Sequence, residues 1–263
     1  MRGRGKYAIM LPIKGGGAEM TKKPIAGNMA TGVLKLVALA FMMCDHIGTM
    51  IFPQVQEMRV LGRIAFPLYA WCLEVGASHT RCMWKYMLRI GLIGLISQPL
   101  YMAALNHTWR EPNIFLTLLV ALLGLWGLRE RKWLSHIWAP LLALVLAVWL
   151  RCDYGWKGVL LILLLYAARE NRSALAAVMI AFCLYWGSSS SRVTEFFGIA
   201  LAVPGTVLPQ LISPWLRLQG LAVLATPLII FPCKAKLKLP AWLGYALYPA
   251  HLAVLWLLTQ WMR

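Results

Sequence analysis

The sequence predicts an all-α protein, a polytopic bundle of about nine transmembrane helices with a range of about eight to ten. Of the 263 residues, 60% are hydrophobic and only 13% are charged, and the mean hydropathy is +0.67. Soluble domains carry about 25% charged residues. Because this chain has too few charges to cover a water-soluble globule, its composition excludes an ordinary soluble enzyme or binding module.

The apolar runs of the chain predict the individual spans. A hydrocarbon core of about 30 Å needs about 20 apolar residues per helix, and shorter runs of about 17 also suffice. Runs bounded by charges or by Gly/Pro clusters are 34–53, 61–78, 86–105, 113–128, 134–150, 156–168, 173–187, 213–232 and 241–261. A further stretch, 195–212, contains Pro204-Gly205 and Pro209, and it remains open as a tenth span, a re-entrant piece or an interfacial helix.

The basic residues predict the orientation of the bundle. The chain has 26 Lys+Arg against 9 Asp+Glu, a net charge of +17. Since no basic-aromatic stripe lies outside the apolar runs, we attribute this charge to the cytoplasmic ends of spans and not to nucleic-acid binding. Nine spans with a cytoplasmic N-terminus place the basic loops inside. Residues 1–32 are predicted to be a basic, disordered cytoplasmic tail, and residues 33–263 a single transmembrane domain.

The cysteine pattern and the known catalytic motifs give little support to other chemistries. The six cysteines are scattered without a C-x-x-C pair, which predicts neither a disulfide framework nor a zinc site. We expect no metal. The chain also lacks G-x-S-x-G, H-E-x-x-H and Walker patterns, so hydrolase, zincin and NTPase functions have no support.

The stretch CDHIG places Asp45 and His46 inside the first span. Charged groups at membrane depth are costly and usually mark a functional site. Neighbouring residues on a helix do not face each other, so the two side chains need separate partners. Arg63, at the start of the second span, is a natural counter-ion for Asp45, or else it extends to the membrane interface. A purely structural role for Asp45 and His46 stays open.

Further polar residues in or beside the spans complete the list of candidates. His251 lies in the middle of the last span, with Tyr248 one turn before it. Glu74, near the inner end of the second span, is expected either to contact a cofactor or to pair with Arg81 or Arg89. Four others are expected at the outer ends of spans, as ligands of substrate or as structural groups: Gln98, Asn113, Asp153 and Tyr154. Together these positions predict a polar cluster that opens outward.

Several sequence pieces, taken in order, resemble one known family. They are LKLVALAFMMCDHIG, LGRIAFPLYAWCLEVG, ISQPLY, NIFLTLLV, DYGWKGVLLILLLY and YALYPAHLAVLWLL, and they extend from about Val33 to Leu258. In these pieces the chain resembles the TraX/TrbP family of conjugation-associated membrane proteins. More distantly, the chain also resembles membrane acyltransferases that have one His in the first helix and another in the last.

The resemblance implies an acyltransferase domain and an enzymatic role. It implies transfer of acetyl from acetyl-CoA to the N-terminal amine of a conjugative pilin in the bacterial inner membrane. His46, Asp45, Arg63 and His251 would then be catalytic, with a His as the base and Arg63 or Asn113 as donors to the oxyanion. The remaining candidates, Tyr248 among them, would bind acceptor or donor. The expected partners are the lipid bilayer, a pilin subunit and a CoA thioester.

Two other classes of function stay open on the sequence. Asp45 and His46 would also suit a proton relay in a transporter, although no inverted repeat is visible. A non-catalytic factor that holds pilin in the bilayer would likewise need an apolar helical bundle.

Overall fold

The computed structural model describes residues 25–201, 213–235, 237 and 240–262. In this part of the chain the protein is a helical bundle with one small hairpin. The elements are α1 Thr31–Met50, α2 Gln56–Gly62, α3 Ala65–His79, α4 Met83–Leu105, α5 Ile114–Glu130, α6 Ser135–Trp149, α7 Gly155–Ala168, α8 Arg172–Gly187, β1 Glu195–Phe196, β2 Ile199–Ala200, a 3-10 helix Gly220–Ala225, α9 Thr226–Ile230 and α10 Ala241–Trp261. The all-α prediction is therefore confirmed.

Three helical segments of the described chain are long and apolar enough to cross a membrane. They are Thr31–Met50, the consecutive helices Gln56–His79, and Met83–Leu105. The outer face of α4 carries a stripe of exposed apolar side chains, which includes Leu88, Leu92 and Leu95. A stripe of exposed apolar side chains on a helix long enough to cross a membrane is suited to lipid contact. The protein is thus an integral membrane protein.

Helix α3 forms the centre of the bundle. It is hydrophobic on every side, and Phe66, Leu68 and Trp71 are each at most 1% exposed. A helix with no polar face must be covered on all sides. The helices that pack around it include α1, α5 and α7. Helix α10 contacts both α1 and α4, which brings the last helix of the described chain against the first.

The second predicted span, 61–78, is divided between two helices. Helix α2 ends at Gly62 and α3 begins at Ala65. Pro67 has no N–H and therefore cannot donate to the Arg63 carbonyl, so a continuous α-helix would lose a hydrogen bond at this point. Tight turns take its place, with the Arg63 and Ile64 amides donating to the Val60 and Leu61 carbonyls. The break presents the Arg63 side chain towards α1.

The predicted span 213–232 does not form a continuous helix, and the described part of the stretch 195–212 is not helical. Residues 213–232 fold into turns, the 3-10 helix and the short α9. Pro214, Gly220 and Pro227 interrupt this run, and each disfavours a continuous α-helix. The stretch 195–212 begins with the β1–β2 hairpin, and its residues 202–212 lie outside the described chain.

The segment just before α1 also differs from its prediction. Residues 1–24 of the predicted disordered tail lie outside the described chain, but residues 25–32 are ordered. Asn28 is 3% exposed. Its backbone and side-chain N–H groups donate to the carbonyls of Ile229 and Leu228, and its own carbonyl accepts from Trp71 Nε1. These hydrogen bonds tie the start of α1 to α3 and α9.

Candidate active site

Asp45 forms a two-arginine ion pair near the end of α1. Its Oδ1 accepts a hydrogen bond from Arg63 Nη2 at 2.7 Å and another from Arg59 Nε at 3.1 Å. The Asp45 and Arg63 side chains are 17% and 13% exposed, whereas Arg59 is 38% exposed. The predicted contact between Asp45 and Arg63 is confirmed. Arg59, on α2, is a second partner that the sequence did not predict.

Gly62 makes this ion pair possible. A Cβ atom at this position would overlap the Cβ and the carboxylate of Asp45. The close approach of α2 to α1 therefore requires a residue without a side chain at position 62.

We expect Gly62→Ala to displace Asp45 and to cost about 1–3 kcal/mol of stability, as overpacking of a tight contact does. The measurement is the midpoint of thermal unfolding of the purified protein in detergent. Gly91→Ala is the matched control, because a Cβ there meets only Leu119 Cδ2 at an ordinary 3.5 Å. Equal midpoints for the two variants would contradict this account of Gly62.

His46 and His251 form a direct hydrogen bond between the first and last helices. His46 Nδ1 lies 3.0 Å from His251 Nε2. The ring centroids are 5.2 Å apart and the planes differ by 17°. Since the two nitrogens lie much closer together than the centroids, the rings meet edge to edge and not face to face. Neighbours on α1 therefore have separate partners, Asp45 on the α2 side and His46 on the α10 side.

The surroundings of His251 assign its protons. His251 Nδ1 lies 3.2 Å from the Leu247 carbonyl, which can only accept, so this nitrogen carries the hydrogen. In a neutral ring the Nε2 atom then accepts, and His46 Nδ1 is its donor. A neutral His46 therefore has an unprotonated Nε2 atom. That atom is free to act as a base. Tyr248 packs edge-on against the His251 ring, at 5.2 Å between centroids.

Three neighbouring cavities lie along α1, and His46 lines two of them. The first, the Lys35 cavity, has a volume of about 100 Å³ and extends from Lys35 to Tyr248 between mostly apolar side chains. The second, the junction cavity, has about 30 Å³ and is lined by His46. The third, the Arg59 cavity, has about 340 Å³ and contains mostly polar groups.

The three cavities share lining residues and therefore form a series of neighbours. Met42 and Tyr248 line both the Lys35 cavity and the junction cavity. Asp45, His46 and Asp153 line both the junction cavity and the Arg59 cavity. The series therefore runs along α1 from the Lys35 cavity to the Arg59 cavity. His46 lines the smallest of the three, the junction cavity.

Two of the predicted site residues, Asp153 and Tyr154, line this site. Asp153 keeps contact with solvent at the Arg59 cavity, and within the described chain its carboxylate has no hydrogen-bond partner. Nearby protein atoms raise the pKa of the Asp153 carboxyl, and the guanidinium of Arg63 opposes this shift. The Tyr154 ring stacks on Phe66 at 3.9 Å between centroids, which fixes the cavity wall.

Gln98 and Asn113 lie elsewhere. Asn113 caps α5, with Oδ1 accepting from the Phe115 amide, and its Nδ2 donates to the Gly94 carbonyl at 2.7 Å. Gln98 Oε1 accepts from the Asn113 amide. Both residues line another cavity, between α4 and α5, and neither lines the three cavities around the histidines. A ligand-binding role for them stays a prediction, but the structure does not bring them to the histidine pair.

Glu74 has a different partner from the two that were predicted. It is fully buried, accepts from Ser78 Oγ at 2.7 Å, and lies 3.8 Å from Arg169 Nε. Arg169 follows α7 and is distant in sequence, whereas the predicted partners were Arg81 and Arg89. Glu74 lines none of the cavities around the histidines, and its contacts are with Ser78 on the same helix and with Arg169.

Some residues of the Arg59 cavity were not found from the sequence. His107, Trp186 and Gln219 all line it. Gln219 is 8% exposed and its Nε2 has no hydrogen-bond partner in the described chain. Buried amide donors normally have a partner, so this N–H is suited to a ligand. In the described chain, no group of three or more His, Cys, Asp or Glu side chains is placed to hold a metal ion.

Comparison with known proteins places the chain in a family. The sequence profile of the family described as TraX protein matches residues 30–259. The chain belongs to the TraX family. The matched range includes the histidine pair, the two-arginine ion pair and all three cavities.

Curated proteins that resemble this TraX family member come from several bacteria. Protein TraX of Escherichia coli is 32% identical over 65% of this chain and 71% of its own length. The probable fimbrial assembly protein FimC, serogroup H1, of Dichelobacter nodosus is 28% identical over 57% of this chain and 68% of its own length. An uncharacterized protein of Rickettsia prowazekii is 26% identical over 54% of this chain and 57% of its own length. No solved structure matches the chain.

Proposed function

We propose that this TraX family member is a membrane acetyltransferase that transfers acetyl from acetyl-CoA to the N-terminal amine of a conjugative pilin. The observation that carries the proposal is the series of cavities along α1, with the His46–His251 pair at its narrowest point. One side of the pair is apolar and narrow and the other is polar and wide. Such an arrangement suits a donor and an acceptor that arrive from opposite sides.

The Lys35 cavity suits the thioester arm of the donor. Its walls, Leu39, Met42 and Leu118 among them, form a narrow cavity that matches a thin, extended chain. Lys35 lines its mouth, and Lys85 and Arg89 are exposed on α4 near Tyr86, which lines the same cavity. These cations would hold the phosphates of the nucleotide. We therefore assign the Lys35 end to the cytoplasm of the bacterial inner membrane, with the N-terminus inside.

His46 would act as the base through Nε2. It takes a proton from the acceptor amine as the amine nitrogen attacks the acetyl carbonyl carbon, and this forms the C–N bond of the amide. The C–S bond then breaks, and His46 returns the proton to the leaving sulfur. Bound acetyl-CoA supplies the activated acyl group. His251 fixes the tautomer of His46 through the Leu247 carbonyl, so it is a positioning residue in this scheme.

Two donors would stabilise the oxyanion that develops on the carbonyl. Arg63 donates one Nη2 hydrogen to Asp45 and its Nε–H to the Arg59 carbonyl, and it lines the Arg59 cavity, where its other N–H groups would be the donors. Gln219 Nε2 is unpartnered in the same cavity. Preorganised donors of this kind commonly contribute several kcal/mol to a rate. Asp45 holds Arg63 in place, and the Asp153 carboxylate takes the first proton of the incoming ammonium, so that the acceptor attacks as a neutral amine.

A non-catalytic role in assembly is the second candidate, because the Dichelobacter relative is named as a probable fimbrial assembly protein. Mass spectrometry of pilin from cells with and without the gene distinguishes the two functions. We expect one added acetyl group on the pilin N-terminus only when the gene is present. Pilin of unchanged mass, present in normal amount, would rule out acetylation of that substrate. Loss of pilin without any change in its mass would favour the assembly role.

A further inference from the structure

We propose that a further cavity at the Asp45 end, here called the portal, admits an acceptor amine carried by a segment that is itself embedded in the membrane. The portal has a volume of about 340 Å³ and lies where α1, α4 and α10 end. Its walls include Thr49, Ala104, Asn106, Thr259 and Met262. This inference rests on the proposed acetyl transfer and specifies how its acceptor reaches the site.

The portal adjoins the candidate active site. Thr49 and Leu105 line both the portal and the Arg59 cavity. Thr49 is one helical turn after Asp45 on α1, and its hydroxyl donates to the Asp45 carbonyl at 2.8 Å. A chain end that enters the portal therefore lies next to the Arg59 cavity, where His46 and Asp153 are part of the wall.

The portal opens beside the apolar exterior of the bundle. Among its lining residues, Asn106 is exposed and Met262 is 61% exposed. On the same end of α10, Leu257 and Trp261 are 59% and 85% exposed. Exposed apolar side chains on a membrane helix face lipid, and Trp commonly lies at the membrane–water interface. The opening therefore lies where the terminus of a helix embedded in the lipid can enter from the side of the bundle.

The walls of the portal favour a cation. Three helices end there, and the last carbonyls of a helix lack intrahelical partners and carry partial negative charge. The hydroxyls of Thr49 and Thr259 donate their hydrogens to carbonyls of their own helices, so each oxygen presents only lone pairs. Among the described residues of the portal, none is Lys, Arg or His. An ammonium group is the ligand that this set of acceptors fits.

The test compares two acceptor peptides with the protein in lipid nanodiscs and radiolabelled acetyl-CoA. The first peptide carries its free N-terminus on an apolar transmembrane helix, and the second is the same N-terminal sequence without that helix, soluble in water. Ala104→Trp fills the portal. Ala103→Trp is the matched control, because Ala103 is the adjacent residue on α4, is exposed and does not line the portal.

We expect Ala104→Trp to slow acetylation of the membrane-anchored peptide by about tenfold or more and to leave the rate for the soluble peptide within about twofold. Ala103→Trp should change neither rate. Equal rates for Ala104→Trp and the unmodified protein on the anchored peptide would overturn the portal, and so would an equal slowing of both peptides. Acetylation of neither peptide by the unmodified protein would instead overturn the proposed transfer itself.

Discussion

Replacing His46 by alanine is expected to lower acetyl transfer by about 10²- to 10⁴-fold, the usual contribution of a positioned general base. His46 lines both the junction cavity and the Arg59 cavity, and its contact with His251 leaves its Nε2 atom free. Its removal leaves the two-arginine ion pair in place, since Asp45 has its own partners on α2 and the following turn. The measurement is the initial rate of acetylation of a membrane-anchored peptide, with the thermal midpoint as a check on folding.

His79→Ala is the matched control for this experiment. His79 Nδ1 contacts the carbonyl four residues earlier on its helix, as His251 does, but it lies at the opposite end of the bundle from Asp45. We expect this variant to keep the full rate. Normal modification of pilin by His46→Ala, at a normal amount of protein, would remove His46 from the mechanism.

The double variant His46→Ala/His251→Ala separates the two roles. If His251 acts only through His46, the double variant should be no slower than His46→Ala alone, because groups that act as a unit are not additive. A further loss in the double variant would show that His251 has an independent function in the reaction.

The second large effect is expected on the midpoint of unfolding, when Arg63→Ala is compared with Arg59→Ala. Both guanidinium groups donate to the same Asp45 oxygen, but Arg63 is closer and much less exposed. Breaking a buried ion pair from one side typically costs about 3–5 kcal/mol, whereas an exposed pair contributes about 0–1 kcal/mol. Arg63→Ala should therefore lower the midpoint of unfolding far more than Arg59→Ala.

A double-mutant cycle with Asp45→Asn isolates the pair itself. The coupling between Asp45→Asn and Arg63→Ala should be large, and that between Asp45→Asn and Arg59→Ala small. Acetylation rates measured on the same proteins test the proposed oxyanion role, because Arg63→Ala should slow the reaction beyond what its remaining folded fraction explains. Equal midpoints for the two arginine variants would contradict the assigned difference in burial.

The sequence predicted the parts of the site that follow from the cost of charge in a membrane. An Asp in an apolar run needs a counter-ion, and Arg63 is close along the chain, so this pair was found. His46 and His251 were each identified as unusual, but their contact joins residues 205 apart, and no local rule predicts it. The same reason explains the error at Glu74, whose partner Arg169 comes from a distant loop.

Other differences arise where a local break competes with an apolar run. The apolar run at 213–232 predicted a span, but two prolines and a glycine divide it into short pieces. One of these pieces supplies Gln219 to the Arg59 cavity. Asn113 was placed correctly at the start of α5, yet its amide is used by the helix cap and by Gly94. The sequence showed the polar group but not the partner that already satisfies it.

The pairing of His46 with His251 has a consequence for biosynthesis. Helix α1 leaves the ribosome first, whereas α10 is made only after the other described helices. Until α10 is inserted, His46 lacks the neighbour that fixes its tautomer, and the Lys35 cavity lacks the wall that Tyr248 provides. A nascent or truncated chain without α10 thus has no assembled site. The protein can therefore carry out the proposed reaction only after α10 has been inserted into the membrane.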